Sequence, residues 1–153
     1  MKKFKFSLER ILDYRKSIFD KEKNILMELY AEENDIEKKL EDYKKLYRFY
    51  SEQKTEMAKK GIEVFAYKQI CIQIESAERK IEETTQELFA MEEKIDRQRY
   101  VVTEASKDVK AFENLKDKKQ AEFNFELSKA EQERIMELVG NKAAEQVING
   151  GVK

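Results

Sequence analysis

The sequence predicts an all-α fold: a long antiparallel coiled-coil hairpin of two helices, the second overhanging at the end that carries both termini. Composition is one reason, since 41% of the residues are charged and 41% are apolar, a balance typical of long helices. Turn-forming residues are another, because the chain has no Pro and only four Gly, three of them in the last fourteen positions. The third reason is a 3-4 spacing of apolar residues, which indicates a left-handed coiled-coil seam.

The first helix is predicted over residues 7–60. Ser7 can cap its start, and Lys59 and Lys60 suit the negative end of its dipole. Steps of four and three residues from Leu8 to Met57 give fifteen positions, of which eleven are apolar or Tyr. The four exceptions along this seam are Arg15, Glu22, Glu33 and Lys54. A flanking stripe of Ile11, Ile18 and Ile25 is interpreted as a widening of the seam.

Gly61 is predicted to end the first helix, because it can take the left-handed conformation that follows many helix ends. The turn is placed at residues 61–65, with Ile62 contacting Met57. A second helix follows over residues 66–139, and its seam from Tyr67 to Phe112 has twelve apolar residues in fourteen positions. Gly140 is expected to end this helix and leave a flexible tail over residues 140–153. The whole chain is interpreted as one coiled-coil domain.

An antiparallel register follows if Met57 faces Tyr67, so that the numbers of facing residues add to 124. Large residues then face small ones, as in the pair Tyr47 and Ala77. The second helix extends beyond the start of the first helix from about Lys116, and its regular 3-4 spacing of apolar residues ends at Phe112. Apolar residues continue there without a predicted partner, which favours a binding surface. They are Leu115, Phe123, Phe125, Leu127, Ile135, Leu138 and Val139.

Chemical groups for catalysis are scarce. The chain has no His, no phosphate-binding glycine loop and no metal-ligand spacing, and Cys71 has no His to activate it. The sequence therefore predicts no enzyme activity, no cofactor and no metal. The 31 Lys and Arg nearly balance the 32 Asp and Glu, which argues against nucleic-acid binding. No apolar run approaches the length of a membrane span, and a cytoplasmic location is expected.

Two stretches carry a family resemblance. "FKFSLERILDYRKSIFDKEKN" resembles the N-terminus of the flagellar export protein FliJ, through the pattern residues Phe4, Phe6, Leu8, Ile11, Leu12 and Arg15. "VKAFENLKDKKQAEFNFELSKAEQERIMELV" resembles the second helix of that family. The resemblance implies a stalk-like hairpin of the flagellar type III export apparatus. It also implies binding to the hexameric export ATPase FliI, to the cytosolic domain of the export gate protein FlhA and to export chaperones, with only indirect membrane association.

The resemblance also implies two binding sites. The ATPase-binding residues would lie near both termini: Leu8, Ile11, Leu12, Arg15, Leu115, Lys116, Lys119, Phe123 and Leu127. The gate-binding residues would follow the turn: Phe65, Gln73, Ala77, Lys80 and Thr84. From the residues alone, Val64 and Phe65 could instead cap the tip of the hairpin.

Two other functions remain open at this point. The chain could be the equivalent stalk protein of a virulence-type III secretion system, which gene neighbourhood would distinguish. It could also be a structural coiled coil that self-associates, in which case sedimentation would show a dimer or a larger species.

Overall fold

The computed structural model describes residues 2–61 and 63–150. It contains two helices, α1 (Glu9–Lys60) and α2 (Val64–Gly150), and the described ranges contain no strand. The two helices pack against each other, so the predicted all-α hairpin fold is confirmed. Ile62 lies outside the described residues, and so does its predicted contact with Met57.

The chain divides into two compact units. Unit 1 comprises Met1–Lys16 and Lys107–Lys153, and unit 2 comprises Ser17–Ser106. Each unit therefore contains one stretch of α1 and one stretch of α2. The interpretation of the whole chain as a single coiled-coil domain stays a prediction.

In unit 2 the two helices run antiparallel. The Lys54 ammonium lies 5.8 Å from the ring centre of Tyr67, close to the turn. Further from the turn, the Lys80 ammonium lies 5.4 Å from the ring centre of Tyr43. A lower residue number on α1 thus pairs with a higher residue number on α2, as in an antiparallel hairpin. Both pairs lie close to the register in which the numbers of facing residues add to 124.

Gly61 forms the turn of unit 2. It has a φ of 67°, the single positive φ among the described residues, and α1 ends immediately before it at Lys60. α2 begins at Val64, two residues earlier than expected, because the Glu63 carbonyl already accepts a hydrogen bond from the Tyr67 N–H at 3.2 Å. The predicted helix stop at Gly61 is confirmed.

The interior is the seam between the helices. Every buried residue among those described occupies a predicted 3-4 position, and the remaining seam positions are half-buried. Two facing helices leave most of their surface in water, so only a narrow line of side chains is fully enclosed. The buried residues are Leu12, Leu40, Ala77, Thr84, Met91, Ile95, Ala105 and Val109.

In unit 1, residues 2–8 precede the helix and return toward α2. The rings of Phe4 and Phe123 pack with their centres 5.7 Å apart at an interplanar angle of 53°. The Phe6 carbonyl accepts a hydrogen bond from the Glu9 N–H at 3.2 Å, which leads into the first turn of α1. The helix begins at Glu9 rather than at residue 7.

The predicted helix end at Gly140 is wrong, because α2 continues to Gly150. Gly140 lacks the positive φ of a helix-ending glycine. An interior Gly costs a helix only about 1 kcal/mol relative to Ala. Good helix formers follow it, with Ala143, Ala144, Glu145 and Gln146 in succession. The expected flexible tail is therefore helical over residues 141–150.

Candidate protein-interaction surfaces

The α1 residues predicted to bind an ATPase differ widely in accessibility. Leu12 is fully buried in unit 1, and Leu8 and Arg15 are half-buried. Ile11 is 42% exposed and is the apolar member of this group that a partner can reach most easily. Leu12 thus contributes to the packing of unit 1, and Ile11 remains accessible at its surface.

Ion pairs join the two helices of unit 1 beside these residues. Arg15 lies 3.4 Å from the Asp108 carboxylate, and the Lys116 ammonium lies 2.9 Å from Glu9. Both pairs are partly exposed, so each contributes at most about 1 kcal/mol of stability. The Nε atom of Arg15 is buried and has no hydrogen-bond partner among the described atoms. These contacts hold Arg15 and Lys116 against the fold and limit their freedom to bind a partner.

The α2 members of the predicted ATPase site form a gradient of exposure along the helix. Leu115 and Phe123 are half-buried, and Phe123 packs against Phe4. Lys119 is exposed and pairs with Glu122 at 3.5 Å. Leu127 is 45% exposed. Accessibility thus rises toward the C-terminal part of α2.

Residues 124–150 of α2 form what we call the exposed α2 segment, because each of them is exposed. The predicted overhang is therefore present in unit 1 as a helix without a covering partner. It carries large apolar residues: Phe125, Leu127, Ile135, Met136, Leu138, Val139, Val147 and Ile148. A concentration of apolar side chains on an uncovered helix is a typical feature of a protein-binding surface.

Three of these exposed apolar residues were not predicted from the sequence. Met136 is 75% exposed, Val147 is 75% exposed and Ile148 is 66% exposed. The predicted helix end at Gly140 places Val147 and Ile148 in the flexible tail, where no exposed helical face is expected. The helix formers that follow Gly140 were the signal that could have placed them on α2.

The predicted gate-binding residues lie in unit 2, and the structure separates them into two groups. Ala77 and Thr84 are each only 5% exposed, since both point into the seam between the helices. Neither can offer contact area to a partner while the seam is closed. Gln73 and Lys80 are exposed, although the Lys80 ammonium lies over Tyr43. The accessible part of the predicted gate site is therefore Phe65, Gln73 and Lys80.

Two apolar residues stand exposed beside the turn. Val64 is 68% exposed and Phe65 is 67% exposed. A structural cap would place these side chains against the helix ends and remove them from water. Their exposure favours a docking role over a capping role.

Two further exposed aromatic residues in unit 2, Phe89 and Tyr100, were not predicted. Phe89 is 63% exposed and Tyr100 is 68% exposed. Phe49, 52% exposed, packs edge-on against Tyr50 with ring centres 5.4 Å apart. Phe89 and Tyr100 lie off the predicted 3-4 seam, which is consistent with their exposure.

A polar contact joins the helices in the middle of unit 2. The Nε of Arg99 donates a hydrogen bond of 2.8 Å to the Tyr30 hydroxyl, and its guanidinium lies 5.6 Å from the Tyr30 ring centre. This hydrogen bond raises the pKa of Arg99 above its ordinary value. The contact links α1 and α2 outside the apolar seam.

Residues 2–61 and 63–150 contain no group of three or more His, Cys, Asp or Glu placed to hold a metal ion. Within those same ranges, no helix has an apolar stretch long enough to cross a membrane.

Comparison with known proteins identifies the family. Neither the curated proteins nor the solved structures include a match to this chain. A family model described as flagellar FliJ protein matches residues 4–146. Because that match covers nearly the whole sequence, the chain belongs to the flagellar FliJ protein family, which is associated with flagellar protein export.

Proposed function

We propose that this chain is a non-enzymatic, stalk-like component of the flagellar type III export apparatus. Its unit 1 inserts into the ring of the export ATPase FliI and promotes assembly and activity of that ring. Its unit 2 contacts the cytosolic domain of the export gate protein FlhA. Family membership supports the export role, and the family match favours a flagellar system over a virulence-type system.

The observation that carries the ATPase proposal is the exposed α2 segment. Ile135 and Leu138 are each 55% exposed, and Val139 is 62% exposed. Burying an apolar side chain of this size contributes about 1.5–3 kcal/mol. The interior of a protein ring can cover a single helix on several sides at once, which suits apolar residues that are distributed around α2.

The gate proposal depends on the residues around the turn. Phe65 is 67% exposed, and Gln73 and Lys80 lie exposed further along α2. An exposed aromatic residue next to polar groups is typical of an interface anchor. Through the gate, the chain would sit at the cytoplasmic face of the cell membrane at the flagellar base, and it would also escort export chaperones there.

The ATPase proposal is tested with the full-length chain. In the variant Ile135→Gln/Leu138→Gln, both apolar contacts are replaced by a polar residue of good helix propensity. We expect this variant to lose most of its stimulation of purified FliI. Two apolar side chains that the ring would bury are lost, which weakens binding by about 100-fold or more. The measurement is the rate of ATP hydrolysis as a function of the concentration of the chain.

Phe89→Gln is the matched control, because Phe89 is 63% exposed and lies in unit 2. It should stimulate FliI as the unmodified chain does. Equal stimulation by the Ile135→Gln/Leu138→Gln variant and by this control would contradict the ATPase proposal. Circular dichroism should show the same helix content in all three proteins.

Self-association is the second candidate function, and the same exposed α2 segment favours it. Two copies could cover each other's apolar residues in place of a ring. Sedimentation of the isolated chain separates the two functions. A monomer at micromolar concentration supports the stalk, and a stable dimer that Ile135→Gln/Leu138→Gln dissociates supports self-association.

A further inference from the structure

A groove lies between the N-terminal segment and α2 in unit 1. It is lined by the aromatic rings of Phe4, Phe6 and Phe123 and bordered by Lys3, Lys5 and Lys119. It is an open groove with a volume of about 590 Å³. We call it the N-terminal groove.

Three basic residues and two acidic residues line the N-terminal groove, with Lys3 and Lys5 on the N-terminal segment and Glu122 and Glu126 on α2. Lys3 and Lys5 are exposed and form no ion pair with a described residue, whereas Lys119 is compensated by Glu122 at 3.5 Å. Residues 2–16 as a whole carry six basic side chains and two acidic ones. A segment entering the groove beside Lys3 and Lys5 therefore meets a potential that favours carboxylates.

The backbone of the N-terminal segment is available for pairing. Lys3, Phe4 and Lys5 precede the helix and make no backbone hydrogen bond within the described part of the chain. Unpaired backbone N–H and C=O groups can form hydrogen bonds with a bound peptide. Apolar walls, a basic rim and free backbone groups together fit an extended acidic peptide that carries a large apolar side chain.

We propose that the N-terminal groove binds an acidic segment of the export ATPase, in which an aromatic or leucine side chain lies between Asp or Glu residues. This inference rests on the proposed function, because unit 1 is the part of the chain assigned to the ATPase. The apolar side chain packs against the exposed faces of the aromatic rings that line the groove, and its flanking carboxylates pair with Lys3 and Lys5.

Phosphate-bearing partners fit the groove less well. Glu122 and Glu126 also line it, and both would repel a continuous row of phosphates. A lipid surface would require Phe4 and Phe6 to enter the bilayer, but both are half-buried and Phe4 is packed on Phe123. A peptide can place its apolar side chain and its carboxylates separately, so it suits this mixed lining.

The test uses the full-length chain and purified full-length FliI, with affinity measured by biolayer interferometry at low and high salt. Lys3→Glu/Lys5→Glu reverses the rim charge without altering the aromatic packing. We expect affinity to fall by about tenfold or more at low salt, with a smaller loss at high salt, because salt screens charges on an interface rim.

Lys44→Glu/Lys45→Glu is the matched control. It makes the same change in net charge on exposed residues of unit 2. It should change the affinity for FliI by less than about twofold, since neither residue lines the groove. A third variant, Glu126→Lys, removes a carboxylate from the groove and should tighten binding. The same affinity for Lys3→Glu/Lys5→Glu and for the control would overturn the proposal.

The two proposals fail in different ways. Normal ATPase stimulation by Ile135→Gln/Leu138→Gln, together with weak binding by Lys3→Glu/Lys5→Glu, rejects the role of the exposed α2 segment and supports the groove. The reverse pattern rejects the groove alone. Absence of any binding between the unmodified chain and FliI rejects both. Loss of binding to phosphatidylserine vesicles by Lys3→Glu/Lys5→Glu, with unchanged FliI affinity, would assign the lysines to a membrane and also overturn the groove proposal.

Discussion

In unit 2, the side-chain amide of Gln98 donates hydrogen bonds to Glu22 on the opposite helix, at 2.6 Å to Oε2 and 2.9 Å to the backbone oxygen. Both residues are half-buried at seam positions. The Glu22 carboxylate thus lies among apolar seam residues, where the Gln98 amide supplies it with a hydrogen bond. Polar pairs of this kind can fix the register of a coiled coil at some cost in stability.

The first prediction concerns this pair. Gln98→Leu leaves the half-buried Glu22 carboxylate without its donor, and we expect a loss of about 1–3 kcal/mol in the free energy of unfolding. Glu22→Leu/Gln98→Leu removes both partners and should recover most of that loss. Urea unfolding followed by circular dichroism measures both values. A double variant as unstable as Gln98→Leu would show that the unpaired carboxylate is not the cause.

The second prediction compares two glycines. Gly61 has a φ of +67° and Gly140 is helical, and a Cβ at either position meets no atom within 4 Å. Gly61→Ala should therefore destabilise the chain by about 1–2 kcal/mol through backbone strain alone. Gly140→Ala should increase the helix stability of α2 by about 0.5–1 kcal/mol. Thermal unfolding followed by circular dichroism should show a lower melting temperature for Gly61→Ala and a higher one for Gly140→Ala.

The third prediction compares neighbouring apolar residues in unit 1. Leu12 is fully buried, whereas Ile11 is 42% exposed. Leu12→Ala should lower the free energy of unfolding by about 2–4 kcal/mol, because it leaves a cavity in the seam. Ile11→Ala should cost less than about 1 kcal/mol. Equal losses for the two variants in urea unfolding would mean that Ile11 is also a packing residue.

The fourth prediction concerns docking at the turn. Phe65→Ala should change the free energy of unfolding by less than about 0.5 kcal/mol, because the side chain is 67% exposed. Its affinity for the FlhA cytosolic domain should fall by at least about tenfold if Phe65 anchors that interface. Isothermal titration calorimetry measures the affinity, with Phe89→Ala as an exposed aromatic control. Unchanged affinity with a lower melting temperature would assign Phe65 to the tip structure instead.

The sequence by itself determined the seam and the turn. A 3-4 repeat assigns each residue to a face of its helix, and this local periodicity placed Leu12, Ala77 and Ile95 in the interior. Gly61 marked the turn because few other residues adopt a positive φ at low cost. The same local reasoning failed at Gly140, since one glycine does not show whether the residues after it continue a helix.

Only the tertiary structure decided which distant side chains meet. The expected register placed Glu22 opposite Val102, but its hydrogen bonds go to Gln98, one turn away, because long side chains can reach along the seam. The packing of Phe4 on Phe123 joins residues far apart in sequence, and no periodic pattern encodes it. Exposure is decided the same way: Thr84 and Phe65 were assigned to one predicted site, yet the fold buries the first and leaves the second in water.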